Sequence, residues 1–85
     1  MPTIEKILKA MRNNPRNVRF DDLAKVCEYF FGRYHGSDSH RKYDTPWAGD
    51  PRINIQEFKD GKAKPYQVKQ VLRAIELMED MDESL

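Results

Sequence analysis

His40 is the side chain in this sequence best suited to move a proton beside a phosphate. It lies in the run Gly36-Ser37-Asp38-Ser39-His40-Arg41-Lys42-Tyr43, which leads into Asp44-Thr45-Pro46-Trp47. An imidazole titrates near neutral pH, so it can take or give a proton there. Breaking an RNA phosphodiester without a metal requires a base for the 2′-hydroxyl, an acid for the leaving oxygen and cations for the developing charge. Arg41 and Lys42 adjoin the histidine, and Lys62, Lys64 and Lys69 follow further along. One positioned acid–base residue contributes about 10²–10⁴-fold, enough for a slow regulatory nuclease. The same residues also suit a histidine that only contacts nucleic acid, or one that is merely exposed.

Other chemistries fit less well. His35 and His40 fall on different expected elements and Cys27 stands alone, which argues against a zinc site, so no metal and no cofactor is expected. No Gly-rich phosphate loop is present. A Ser-His dyad would draw on Ser37 or Ser39, but strand alternation turns Ser39 away from His40. Cys27 sits on an apolar stripe and reads as a small core residue, with nothing beside it to lower its pKa. Tyr43 and Trp47 either stack on bases or complete the core. Tyr66 either touches a phosphate or packs on the sheet edge.

The elements that carry these residues are legible from periodicity. Thr3 caps a first helix whose Ile4, Ile7, Leu8 and Met11 form one stripe, stopped by Asn13-Asn14-Pro15. Phe20, Leu23, Ala24, Cys27, Phe30 and Phe31 make a second, heavier stripe, with Asp21 and Asp22 in the first turn and Gly32 able to end it. Arg33-Tyr34-His35 is expected as a short strand closed by a turn at Gly36-Ser37-Asp38. Ser39 to Asp44 is expected as the next strand, with His40 and Lys42 on one face and Arg41 and Tyr43 on the other. Thr45 to Pro51 is a loop, and Arg52 to Gln56 alternates as a third strand with Ile53 and Ile55 inward. Phe58 extends or closes that strand. Lys59-Asp60-Gly61-Lys62 is a turn. Pro65 opens a last helix with Val68, Val71, Leu72, Ile75 and Met78 inward, expected to fray beyond Met78. Lys62, Lys64 and Lys69 crowd its start, where free backbone N–H groups already favour an anion. The order α-α-β-β-β-α predicts an α+β fold with helices on one face of an antiparallel sheet, leaving the other face open to an anionic ligand.

The 85 residues predict a single domain with a thin core. No apolar run is long enough to span a membrane. Met1-Pro2-Thr3-Ile4-Glu5 has no leader pattern, and the lone cysteine makes the cytoplasm the expected compartment. The formal net charge of +1 hides a gradient: residues 32–70 carry eight cations against five anions, whereas residues 71–85 carry one cation, Arg73, against five anions. A basic middle suits an anionic partner, although a solvated surface with a charged tail has the same composition.

Three segments together carry a family resemblance. They are Gly-Ser-(Asp)-Ser-His-Arg-Lys-Tyr from Gly36, Thr-Pro-Trp-Ala-Gly-Asp-Pro-Arg-Ile-Asn-Ile-Gln from Thr45, and Gly-Lys-Ala-Lys-Pro-Tyr-Gln-Val-Lys-Gln-Val-Leu from Gly61. In these the chain resembles the HicA toxins of bacterial HicA–HicB toxin–antitoxin pairs, over about Phe20 to Ile75. Residues 1–19 look like an added N-terminal helix, residues 20–78 the core and residues 79–85 an acidic tail. The resemblance implies a double-stranded-RNA-binding-like fold with a three-stranded antiparallel sheet. It implies a ribonuclease, or mRNA interferase, that cuts mRNA and inhibits translation. It gives His40 the catalytic role, with His35 the weaker substitute if the register slips, and Gly36 the role of the small residue that lets RNA approach. The simplest family form reads Gly-Ser-His, whereas Asp38 and Ser39 intervene here, so either Ser37 or Ser39 matches the family serine. With Arg41, Lys42, Lys62 and Lys64, these serines complete the expected RNA-binding set. A HicB-type antitoxin that covers the active face, and that brings DNA binding only indirectly, is the implied protein partner; a membrane is not. A non-catalytic RNA-binding module and a purely protein-binding sheet are the competing expectations.

Overall fold

The structure is a computed structural model and describes residues 3–83. The leader reading at Met1-Pro2 and the end of the acidic tail at Ser84-Leu85 lie outside the described residues. Helix α1 (Ile4–Asn13) starts where the Lys6 N–H donates to Thr3 Oγ1 at 3.3 Å. Helix α2 (Phe20–Phe31) ends at Gly32, which takes φ 86°, a conformation glycine reaches without steric cost. Helix α3 (Pro65–Glu83) is continuous to Glu83, past the expected fraying point. The run from Leu77 to Glu83 contains no Pro, Gly or β-branched residue to interrupt it.

Strands β1 (Tyr34–Ser37), β2 (His40–Tyr43) and β3 (Ile53–Gln56) form one antiparallel sheet in the order β1-β2-β3. The first two are displaced from the sequence expectation. Gly36 and Ser37 belong to β1, and the hairpin turn is Asp38-Ser39 rather than Gly36-Ser37-Asp38. Gly36 adopts φ 104° within the strand, and a Cβ there would lie 2.5 Å from the His40 carbonyl oxygen. The close approach of the two strands is therefore possible only with glycine. The turn is clamped from behind: Tyr34 Oη donates to Asp38 Oδ1 at 2.6 Å, and Arg41 Nε donates to the Asp38 carbonyl at 2.9 Å.

After β3 the chain reverses through Asp60 and Gly61, both at positive φ (56° and 73°), as an Asp-Gly turn demands. Lys62 then bridges to Arg19 and Ala63 to Glu57, tying the α1–α2 connection to the approach of α3. The Ala63 N–H donates to the Val18 carbonyl at 2.8 Å.

The core joins Ile7, Leu8 and Met11 of α1, Phe20, Leu23, Val26 and Cys27 of α2, Tyr43, Ile53 and Ile55 of the sheet, and Val68, Val71, Ala74 and Ile75 of α3. Helix α1 packs on α2 and α3, so the stretch that looks like an addition in sequence is part of the one core. Val26 is fully buried although it lies off the expected stripe, whereas Phe30 and Phe31 are half-buried and pack on the core from its rim. Among the described residues, no helix is long and apolar enough to cross a membrane.

Candidate functional site on the open face of the sheet

The register settles which side chains share a face. His35 pairs with Lys42 and Ser37 with His40; across β2, Lys42 pairs with Asn54 and His40 with Gln56. Cross-strand partners point the same way, so these six polar residues form one continuous surface. Five of the six are exposed and Gln56 is half-buried. The opposite face carries Tyr34, Tyr43 and Ile53 in one row and Gly36, Arg41 and Ile55 in the next.

His40 opens β2 beside the hairpin turn. Ser37 lies directly across from it. Ser39 Oγ is 3.5 Å from His40 Nδ1, at the long limit of hydrogen bonding. This corrects the expectation that Ser39 turns away. Ser39 is a turn residue, not a strand residue, so alternation does not govern it. Asp38 and Ser39 form the turn that sets Ser37 across from His40 and Ser39 beside the imidazole.

Lys64 reaches this face through Gln56. Its Nζ donates to Gln56 Oε1 at 2.9 Å, while Gln67 Oε1 accepts the Gln56 backbone N–H at 2.8 Å. Gln67 also donates from Nε2 to Tyr66 Oη at 3.3 Å and is only 5% exposed. It thereby satisfies an N–H on the outer edge of β3 and holds the start of α3 against the sheet. Sequence reading missed this residue. The available signal was a polar side chain directly beside the apolar stripe of α3. A small recess of about 110 Å³ lies between His40, Lys42, Asn54, Gln56 and Gln67. It meets a larger groove of about 460 Å³, lined by Lys42, Asp44, Trp47, Arg52 and Asn54 among others, at the shared residues Lys42 and Asn54.

Not every expected ligand arrives here. Arg41 points to the helix side. Its guanidinium carbon lies 4.4 Å from the centre of the Tyr34 ring and 5.2 Å from that of Phe20, and its Nη1 is 3.7 Å from Glu28 Oε2. Those contacts make Arg41 a strut under the turn and take it away from the His40 face. Lys62 lines a separate groove with Lys6, Arg19 and Asp22, beside α1. Gly36 presents no side chain at all; its place is fixed by the His40 carbonyl behind it. Lys69 is exposed along α3.

The aromatic and thiol alternatives resolve. Tyr43 is core, 5% exposed, and burial pushes its phenol up to about 12, with Cys27 adding and Arg41 opposing. Among the described residues, its buried Oη has no hydrogen-bond partner. Trp47 is half-buried, stacks edge-on against Phe31 at 6.4 Å, and donates from Nε1 to the Pro51 carbonyl at 2.9 Å. Tyr66 stays 59% exposed while its hydroxyl accepts from Gln67. Burial raises the Cys27 thiol far above its ordinary range, so it does not serve as a nucleophile.

One pairing had no counterpart in the sequence reading. His35 Nε2 lies 3.0 Å from Asp44 Oδ2, on the same face as His40. With β1 expected to end at His35, nothing in the sequence brought it alongside the end of β2. Among the described residues, no group of three or more His, Cys, Asp or Glu side chains is arranged to hold a metal ion.

Comparison of the chain with protein-family models, with curated proteins and with solved structures returned no match.

Proposed function

We propose that this chain is an endoribonuclease toxin that cuts mRNA without a metal in the cytoplasm and so inhibits translation. A HicB-type antitoxin protein neutralises it by covering the open face. The observation that carries the reading is the grouping of His40, Ser37, Ser39, Lys42 and the Gln56–Lys64 pair on one uncovered polar sheet face. It coincides with the segments that resemble HicA.

His40 takes the proton of the attacking 2′-hydroxyl. The ammonium groups of Lys42 and Lys64 meet the charge that grows on the phosphate oxygens. Arg41 contributes by holding the turn, not by touching RNA. The experiment is cleavage of a long purified mRNA in EDTA by the wild type and by His40→Ala. Loss of cleavage in a variant that keeps its fold supports the reading, and equal cleavage by both removes His40 from it.

One observation favours a second reading, a non-catalytic RNA-binding module of the same fold. Among the described residues, the imidazole of His40 has a single polar contact, at 3.5 Å, and no carboxylate contact to orient it. Such a module retains RNA in a gel shift without cutting it, and each lost phosphate contact lowers the salt slope by about 0.7–0.9.

A further inference from the structure

Cleaving RNA through its own 2′-hydroxyl requires two proton transfers, and His40 accounts for one. We infer that His35, held by Asp44, is the second proton-transfer group; this rests on the nuclease reading above. Two observations and the general spacing of paired strands support it. His35 and His40 lie on the same face of the same hairpin, because His35 pairs with Lys42, which is two residues along β2 from His40. Directly opposed residues of such a pair sit roughly 5 Å apart at Cβ and diagonal ones about 7–8 Å, so two imidazoles can flank one phosphate. The ring of His35 is fixed by the 3.0 Å contact of Nε2 with Asp44 Oδ2, and its side chain keeps 65% exposure.

Lys42 completes the arrangement, being opposite His35 and two residues along β2 from His40. The charged or titratable neighbours of His35 on this face are Lys42 directly across, His40 on the diagonal and Asp44 at the end of β2. Strand β3 offers the uncharged Asn54 and Gln56, Arg52 just before it lines the same groove as Lys42 and Asp44, and the start of α3 adds Lys64 through Gln56.

The step balances with these groups alone. His40 removes the 2′-OH proton, and the 2′-oxygen forms a bond to phosphorus. The P–O5′ bond breaks, and protonated His35 gives its free N–H proton, on Nδ1, to the departing O5′. The products are a 2′,3′-cyclic phosphate and a 5′-hydroxyl, and the two imidazoles have exchanged protonation states. In the protonated ring the carboxylate of Asp44 occupies one N–H and leaves the other to donate. Asp44 is a positioning residue in this scheme.

The experiment compares the full-length wild type with His35→Ala, His40→Ala and Asp44→Asn on two substrates, in EDTA, across pH. One substrate is an ordinary RNA oligonucleotide. The other is a nucleoside 3′-aryl phosphate, whose leaving group departs without a proton. On RNA, His35→Ala should lose about 10²–10⁴-fold, and the wild-type bell in kcat/KM should lose its alkaline limb. On the aryl ester, the same variant should come within about tenfold of wild type while His40→Ala stays slow, because only the acid has become dispensable. Asp44→Asn should lose less on RNA than His35→Ala, because it removes only the group that orients the ring. The inference is overturned if His35→Ala matches wild type on RNA, or if it loses equally on both substrates while its urea midpoint is unchanged. A wild type that cuts neither substrate overturns the nuclease reading itself, and this scheme with it.

Discussion

Arg41 and Lys42 are adjacent, carry the same charge and meet opposite fates, and the two faces of the sheet differ as they do. The helix side buries Tyr43, Ile53 and Ile55 and spends Arg41 on bracing the hairpin. The open side sets out His35, His40, Lys42 and Asn54 with few mutual contacts. A cation with its hydrogen bonds and ring contacts already made stabilises the fold. A cation left facing water costs little stability and remains available to a phosphate. Local charge in the sequence therefore says less about anion binding than the parity of the residue in its strand.

That contrast can be broken by substitution. The largest stability effects belong to the helix side. Met11→Ala should lower the unfolding free energy by about 2–5 kcal/mol, read from urea melts, because Met11 is fully buried where α1 enters the core. A loss below about 0.5 kcal/mol, the size of a surface change, would mean that α1 is an appendage after all. Gly36→Ala should cost about 1–3 kcal/mol through its φ of 104° and the His40 carbonyl, even though it adds one methyl group.

Arg41→Ala and Lys42→Ala sharpen the comparison directly. The first should cost about 1–3 kcal/mol of stability, through lost stacking and the lost turn hydrogen bond, and leave the salt slope of RNA binding unchanged. The second should stay within about 0.5 kcal/mol in stability and lower that slope by about 0.7–0.9. Reversed results would place the ligand on the wrong face. The smallest effect is expected at Tyr43→Phe, which removes a buried hydroxyl with no partner and should be near neutral at pH 7. A phenol raised from 10.0 to about 12 contributes stability that is intact below pH 10 and lost as pH climbs toward 12. Base titration of Tyr43→Phe should accordingly show a flatter decline than wild type.

The fold was legible because its signals are local. The stripes of Ile7, Leu8 and Met11, of Leu23 and Cys27, and of Val68, Val71 and Ile75 have helical spacing, and Ile53 and Ile55 alternate. The site was legible at His40 and Lys42, whose shared face follows from alternation alone. What escaped depends on register. A hairpin turn moved onto Asp38-Ser39 lengthens β1, returns Ser39 to the imidazole and brings His35 alongside Asp44. The cause is Gly36, which stays in the strand at a positive φ instead of closing the turn, and spacing alone does not reveal that choice. Gln67 escaped for a related reason, since its role is to satisfy an edge N–H known only once β3 has an edge.

The central claim is that His40 on the open face cuts RNA without a metal, and the most direct measurement is cleavage of purified mRNA in EDTA by wild type, His40→Ala and Arg41→Ala side by side. The account predicts cleavage by wild type, a loss of about 10²–10⁴-fold in His40→Ala, and activity in Arg41→Ala that follows its folded fraction. Undiminished cleavage by a folded His40→Ala protein would contradict it.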